Sequence, residues 1–223
     1  MLITSFPEIE QILKERIKAI DYQSFEGICP GDCRKLFSEC YGMCCSLYVG
    51  LTQEEADVLK KLAIEKAEEF RKIGVKLPEK VVVYDPQSNR NYLNKRRRSF
   101  GQLAGIVHTL LRRAHKNYPL TFKLFKDFTY TCVFSLDSGD CALQRLALAE
   151  SHHPWYYKPL NCWKYPLSIN NGILSVFDRE VNPCFPCNQD NKSNGRAVEV
   201  LKEELAFLGK IIERDLISEL NRD

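Results

Sequence analysis

Apolar residues recur at helical spacing in four stretches of this chain. Ile9, Ile12, Leu13, Ile17 and Ile20 follow Pro7 and predict a short amphipathic helix at the start. Thr52-Gln53-Glu54-Glu55 has the Ser/Thr-x-x-Glu form of a capping box and opens a second helix, with Ala56, Leu59, Leu62, Ala63, Ala67 and Phe70 on one face. Ser99 opens a third, carrying Leu103, Ile106, Val107, Leu110, Leu111 and Ala114 and limited by Pro119. The fourth runs from about Asn194 to Leu220, with Leu201, Leu205, Leu208, Ile212 and Leu216 in one stripe.

Strand signals are shorter. Val81 to Tyr84 is rich in β-branched residues and precedes Asp85-Pro86-Gln87-Ser88-Asn89, which predicts a hairpin with a strand around Tyr92. Phe128 to Phe134 reads as another strand, and Cys141 to Asn182 as a loop-rich stretch with one short strand at Ile173 to Phe177. A loop dense in Cys and Gly fills Asp21 to Gly50. The class expected is α+β, mainly helical, with a long C-terminal helix. No repeat or low-complexity linker divides residues 1–223, which predicts a single domain with its cysteine core at about 29–190.

Composition changes this picture at one point only. The 44% hydrophobic and 27% charged residues are ordinary for a globular chain, and 223 residues can bury a core without disulfides. A net charge of +3 spreads over interspersed acids and bases, so nucleic acid is not expected as a partner. No apolar run reaches membrane-spanning length and no targeting segment is visible at the start, so a cytoplasmic location and no membrane are expected. Ten cysteines, however, exceed what packing requires in a compartment that keeps thiols reduced.

Their spacing points to metal. Cys40-x3-Cys44-Cys45 and Cys184-x2-Cys187 place thiols within reach of one centre, and both zinc and iron–sulfur clusters are held by four cysteines. Adjacent side chains project differently, so Cys44 and Cys45 are expected to serve different centres or different irons of one cluster. Cys29 reads equally as a ligand or a packed thiol. His152-His153 reads as a polar loop before Pro154-Trp155, and Lys95-Arg96-Arg97-Arg98 as a solvated strand end. Lys158 precedes Cys162 and could offset thiolate charge, while Trp155 and Trp163 could shield the site or belong to the core. No GxGxxG, Walker-type loop, HExxH or GxSxG occurs.

Cys33-x6-Cys40-Tyr-Gly-Met-Cys44-Cys45 is followed by Leu51-Thr52-Gln53-Glu54-Glu55, then Cys132-Val-Phe, Cys141-Ala-Leu-Gln and Lys158-Pro-Leu-Asn-Cys162-Trp-Lys-Tyr-Pro166-Leu. In these blocks the chain resembles the CxxCxxCC-type cysteine-cluster proteins, described as zinc- or iron-chelating, a group that includes flagellin lysine N-methylases. The resemblance implies Cys33, Cys40, Cys44, Cys45, Cys132, Cys141 and Cys162 as metal ligands, completed by Cys184, Cys187 or both. The first expectation is a metal-binding protein holding an iron–sulfur cluster or zinc. A cluster-dependent enzyme, such as a protein lysine N-methylase with residues like Lys158 or Gln144 beside the cluster, is the second. A zinc-stabilised interaction module with a protein partner is the third.

Overall fold

The computed structural model describes residues 17–26, 43–46, 48–113, 128–165, 167–176 and 196–221. Along the chain these hold β1 (Ala19–Ile20), α1 (Tyr22–Glu26), a 3₁₀ turn (Met43–Ser46), β2 (Gly50–Leu51), α2 (Gln53–Glu65), α3 (Ala67–Ile73), β3 (Val82–Asp85), β4 (Arg90–Leu93), β5 (Lys95–Arg97) and α4 (Phe100–Arg113). Then come β6 (Tyr130–Cys132), α5 (Ala142–Ala149), α6 (Leu160–Trp163), β7 (Leu167–Asn170), β8 (Ile173–Val176), α7 (Ala197–Val200), α8 (Lys202–Ile212) and α9 (Leu216–Leu220). The described chain is thus a mixture of helices and small sheets in which helix predominates. Among the described residues no helix is long and apolar enough to cross a membrane. Contacts divide the chain into two compact units, Phe37–Asn161 and Leu2–Leu36 with Cys162–Asp223.

In the first unit the capping box forms as the sequence predicts. Glu55 N–H donates to Thr52 Oγ1 at 3.1 Å, and Thr52 N–H donates to Glu55 Oε2 at 2.9 Å, satisfying two of the amides that a helix start leaves open. The helix does not run unbroken to Phe70. Lys66 leaves helical geometry (φ −109°, ψ 24°), and α3 restarts at Ala67 before ending on Gly74 at φ 98°, a left-handed cap that glycine adopts without a Cβ penalty. The expected hairpin is present as β3 and β4, paired Val82↔Leu93 to Asp85↔Arg90, with β2 adding a third antiparallel strand. Asp85 holds its turn by accepting from the Gln87 and Ser88 amides and the Ser88 hydroxyl. Helix α4 begins where Ser99 predicts, Ser99 and Gln102 exchanging side-chain to backbone bonds at 3.3 Å.

The strand expected between Phe128 and Phe134 is β6, paired antiparallel with β5. Helix α5 is a departure, because the stretch from Cys141 reads as loop. Its Ala142, Leu143, Leu146 and Ala147 are buried on one face, and α5 packs against α3. Phe70 and Phe134 meet in that core at 5.6 Å between ring centroids.

In the second unit the segment before Asp21 departs from its helical reading. Its end is β1, parallel to β8 through Ala19↔Ile173 and Ile20↔Leu174, because β8 offers the ladder partners that a short helix would forgo. The rest of that predicted first helix lies outside the described residues. Strands β7 and β8 form a two-residue hairpin over Asn171-Gly172, both at positive φ, the Asn-Gly pair that matches strand twist.

The C-terminal stripe is correct, since Leu201, Leu205, Leu208, Ile212 and Leu216 are all buried, but Leu201 lies at the break between α7 and α8, the next three in α8 and Leu216 in α9. The chain reverses after α8 at Glu213 (φ 56°), where the Arg214 amide donates to the Gly209 carbonyl at 2.9 Å. A Cβ on Gly209 would stand 2.5 Å from the Arg214 carbonyl oxygen, so only glycine admits this close return. Asp215 then caps α9 by accepting from the Ser218 amide at 3.0 Å. Arg214 forks onto Glu219 and also donates to the Ile17 carbonyl.

Glu150, at the end of α5, accepts from Lys66 Nζ at 2.7 Å and from the Tyr157 hydroxyl, with His152 Nε2 at 3.9 Å. Burial acts against its charge, but Lys66 and Tyr157 outweigh burial and hold its carboxyl below the ordinary value of 4.5. A depressed folded-state value contributes stability above the unfolded pKa, and this is lost as pH falls below about 4.5. Glu150→Gln should therefore lower stability by about 1 kcal/mol at pH 7 and by less at pH 3, measured by urea unfolding at both pH values. An equal loss at both would show that the charge is not the stabilising element.

Candidate metal centre

Among the described residues of the first unit, β5 and β6 bring the segments carrying Cys45, Cys132 and Cys141 to one region. In that register Lys95 faces Cys132 and Arg96 faces Thr131. Lys95 Nζ donates to the Ser46 carbonyl and sits 3.6 Å from the Tyr48 ring centroid, and Arg98 Nη2 donates to Ser46 Oγ at 2.8 Å. Ser46 is the residue after Cys45, so two cations hold the Cys45 turn, which packs against β6. The basic run is therefore not a solvated strand end. Arg97 alone of the four is exposed, Lys95 and Arg96 are half-buried, and Arg98 is buried at 4% exposure.

After β6 the chain turns back through Ser135, whose amide donates to the Cys132 carbonyl at 2.9 Å. Ser135 bridges Cys141 antiparallel, and the Ala142 amide donates to the Phe134 carbonyl at 2.8 Å. This tight return makes neighbours of two cysteines nine positions apart in sequence. Cys132 is buried and Cys141 half-buried, and both are thiols. Cys141 is also the N-cap of α5, where helix amides favour negative charge.

Two opposing influences act on Cys132. Burial, and then the neighbouring Cys141, push its thiol up to about 12. The Phe134 amide, donating to its Sγ at 3.5 Å, and the cations of Lys158 and Arg96 pull the other way. The fold thus keeps this sulfur protonated at neutral pH while surrounding it with groups that stabilise a thiolate.

The loop before Cys162 is tied to the capping box. Glu55 is buried at 1% exposure, and its Oε1 accepts from the Leu160 amide at 2.8 Å while Oε2 serves the cap. Asn161 Nδ2 donates to the Gly50 carbonyl at 2.9 Å. The Leu51-to-Glu55 and Lys158-to-Cys162 blocks, some hundred positions apart in sequence, are thus joined through one carboxylate.

Of the nine cysteines expected as ligands, Cys132 and Cys141 are adjacent and Cys45 lies on the turn beside β6. Cys162 is half-buried in the second unit. Cys33, Cys40, Cys184 and Cys187 lie outside the described residues, as do Cys29 and the Cys44 side chain. Among the described residues, no three Cys, His, Asp or Glu side chains are grouped to hold a metal ion. The two histidines between Cys141 and Cys162 are exposed loop residues with other contacts. His152 stacks on Tyr156 at 4.1 Å, and His153 Nδ1 accepts from the Trp155 amide at 3.2 Å. Trp155 is buried in the first unit, and Trp163 is buried in the second against Phe207, with ring centroids 4.9 Å apart. What the sequence reading missed is that Lys95, Arg96 and Arg98 hold the turns at Ser46 and Ser135, leaving Arg97 as the exposed one of the four. No family model, curated protein or solved structure matches this chain.

Glu55→Ala removes the acceptor of both the Thr52 and Leu160 amides and should cost about 2–4 kcal/mol. Thr52→Ala should cost about 1 kcal/mol, since it removes the helix cap alone. Hydrogen exchange should show the Leu160 amide losing protection in the Glu55 variant and keeping it in the Thr52 variant. Equal loss in both would remove Glu55 as the tie.

Proposed function

We propose that this is a metal-binding protein whose centre is held by cysteine thiolates, with Cys132 and Cys141 among the ligands. The observation that carries the reading is the Ser135 turn, which bonds to the Cys132 carbonyl and bridges Cys141, with a backbone amide donated to Cys132 Sγ and cations at hand. Amide donation to sulfur, and positive charge beside it, offset the electron density that thiolate ligands bring to a metal. The donor chemistry fits both zinc and an iron–sulfur cluster.

An iron–sulfur cluster is the form we favour. The chain has ten cysteines and four histidines, and the two histidines nearest the cysteine blocks are engaged in ring and backbone contacts. The resemblance to cysteine-cluster proteins supports a cysteine-held centre of either metal, and such a centre accords with a reducing compartment such as the cytoplasm. Binding must displace a proton from Cys132, so affinity falls as pH is lowered.

The test is metal and acid-labile sulfide content of protein purified without oxygen, together with its visible spectrum. Iron with equimolar sulfide and a brown chromophore is expected, and Cys132→Ser and Cys141→Ser should each lose most of it. Stoichiometric zinc without sulfide would keep the thiolate centre and replace the cluster. Neither metal would overturn the reading.

A further inference from the structure

Arg96 faces Thr131, the residue before Cys132, across the β5–β6 ladder. Its Nη2 donates to the Ser135 carbonyl at 2.7 Å, and Ser135 is the residue bridged to Cys141. One guanidinium is therefore pinned to the turn that returns the chain from Cys132 to Cys141. The same Nη2 meets Asp137 Oδ1 at 3.0 Å, and Nη1 donates to the Arg97 carbonyl at 3.3 Å. These partners do not cancel its charge equally in all directions. The Asp137 side chain is 72% exposed and the Arg96 side chain 27%, so water screens the carboxylate more than the guanidinium.

We propose that Arg96 is a positioning residue of the Cys132–Cys141 pair, supplying the fixed positive charge that makes this sulfur pair favour anionic groups. Four thiolates around a divalent ion leave the centre negatively charged, and a guanidinium held by a backbone carbonyl meets that charge without reorganising. The β5–β6 register, which sets Arg96 opposite the residue before Cys132, and its bond to the Ser135 carbonyl agree with this placement. The identity of the anionic occupant rests on the proposed thiolate centre, whereas the field itself is a property of the apo protein.

The experiment compares two disulfide reagents at Cys141 in apo protein, one a dianion, 5,5′-dithiobis(2-nitrobenzoate), and one neutral, 4,4′-dithiodipyridine. Mass spectrometry of the Cys141 peptide gives each rate, and their ratio cancels the amount of thiolate because the nucleophile is shared. Arg96→Gln should lower the dianion-to-neutral ratio about three- to tenfold, and Arg96→Lys should restore most of it. Asp137→Asn should raise the ratio, since it removes the opposing charge and leaves the guanidinium. A ratio unchanged by Arg96→Gln overturns the proposal, and so does a fall in both the Arg96→Gln and Asp137→Asn variants, which marks a purely structural pairing. Zinc titration of the same proteins separates the two readings. If wild-type protein takes up no zinc or iron while the reagent ratio moves as stated, the metal centre fails and Arg96 stands. If metal binds and the ratio does not move, Arg96 fails and the centre stands.

Discussion

The buried carboxylate of Glu55 joins parts of the first unit that no local sequence preference could join. One oxygen closes the capping box that starts α2, and the other accepts the amide of Leu160. A carboxylate taken out of water is stable only when hydrogen bonds replace its hydration, and here backbone amides do so. Beside this tie, Asn161 holds the Gly50 carbonyl, so the loop leading into Cys162 is fastened to both β2 and α2. The start of a helix and the presentation of a cysteine loop therefore depend on the same side chain.

The thiol pair depends on a different economy of charge. Cys132 is buried and next to Cys141, which favours the protonated sulfur, yet an amide and two cations are turned toward the opposite state. The sulfur is thus protonated among groups that would stabilise its thiolate. The basic side chains of β5 and Arg98 serve two ends at once. Lys95 and Arg98 hold the Cys45 turn through Ser46, and Arg96 holds the turn between Cys132 and Cys141. Of a run of like charges in the sequence, three side chains hold turns beside the cysteines and Arg97 is left exposed.

Much of the local structure was legible from sequence where one short-range rule acted alone. The capping box at Thr52, the Val81 to Tyr92 hairpin and the start of α4 at Ser99 each rest on residues a few positions apart, and each is present. The C-terminal stripe was legible as burial but not as a continuous helix, because the reversal at Glu213 and Arg214 depends on close packing over Gly209. Helix α5 was hidden because its apolar face spans only two turns, and β1 because its partner β8 lies some 150 positions away. The Asn171-Gly172 turn was a signal present in the sequence and overlooked. Of the candidate site, Cys132 and Cys141 were implied by the resemblance to cysteine-cluster proteins and not by their spacing. The pairing of Cys132 with Cys141 is set by the Ser135 bridge, and the inward aim of Arg96 by a strand register that composition does not reveal.

X-ray absorption at the metal edge of anaerobically purified protein tests the central claim most directly, because it counts the atoms bound to the metal. Thiolates gathered from separated segments predict a first shell of sulfur only, at about 2.3 Å and close to four scatterers. A shell of nitrogen and oxygen with little sulfur would contradict a cysteine-held centre at Cys132 and Cys141.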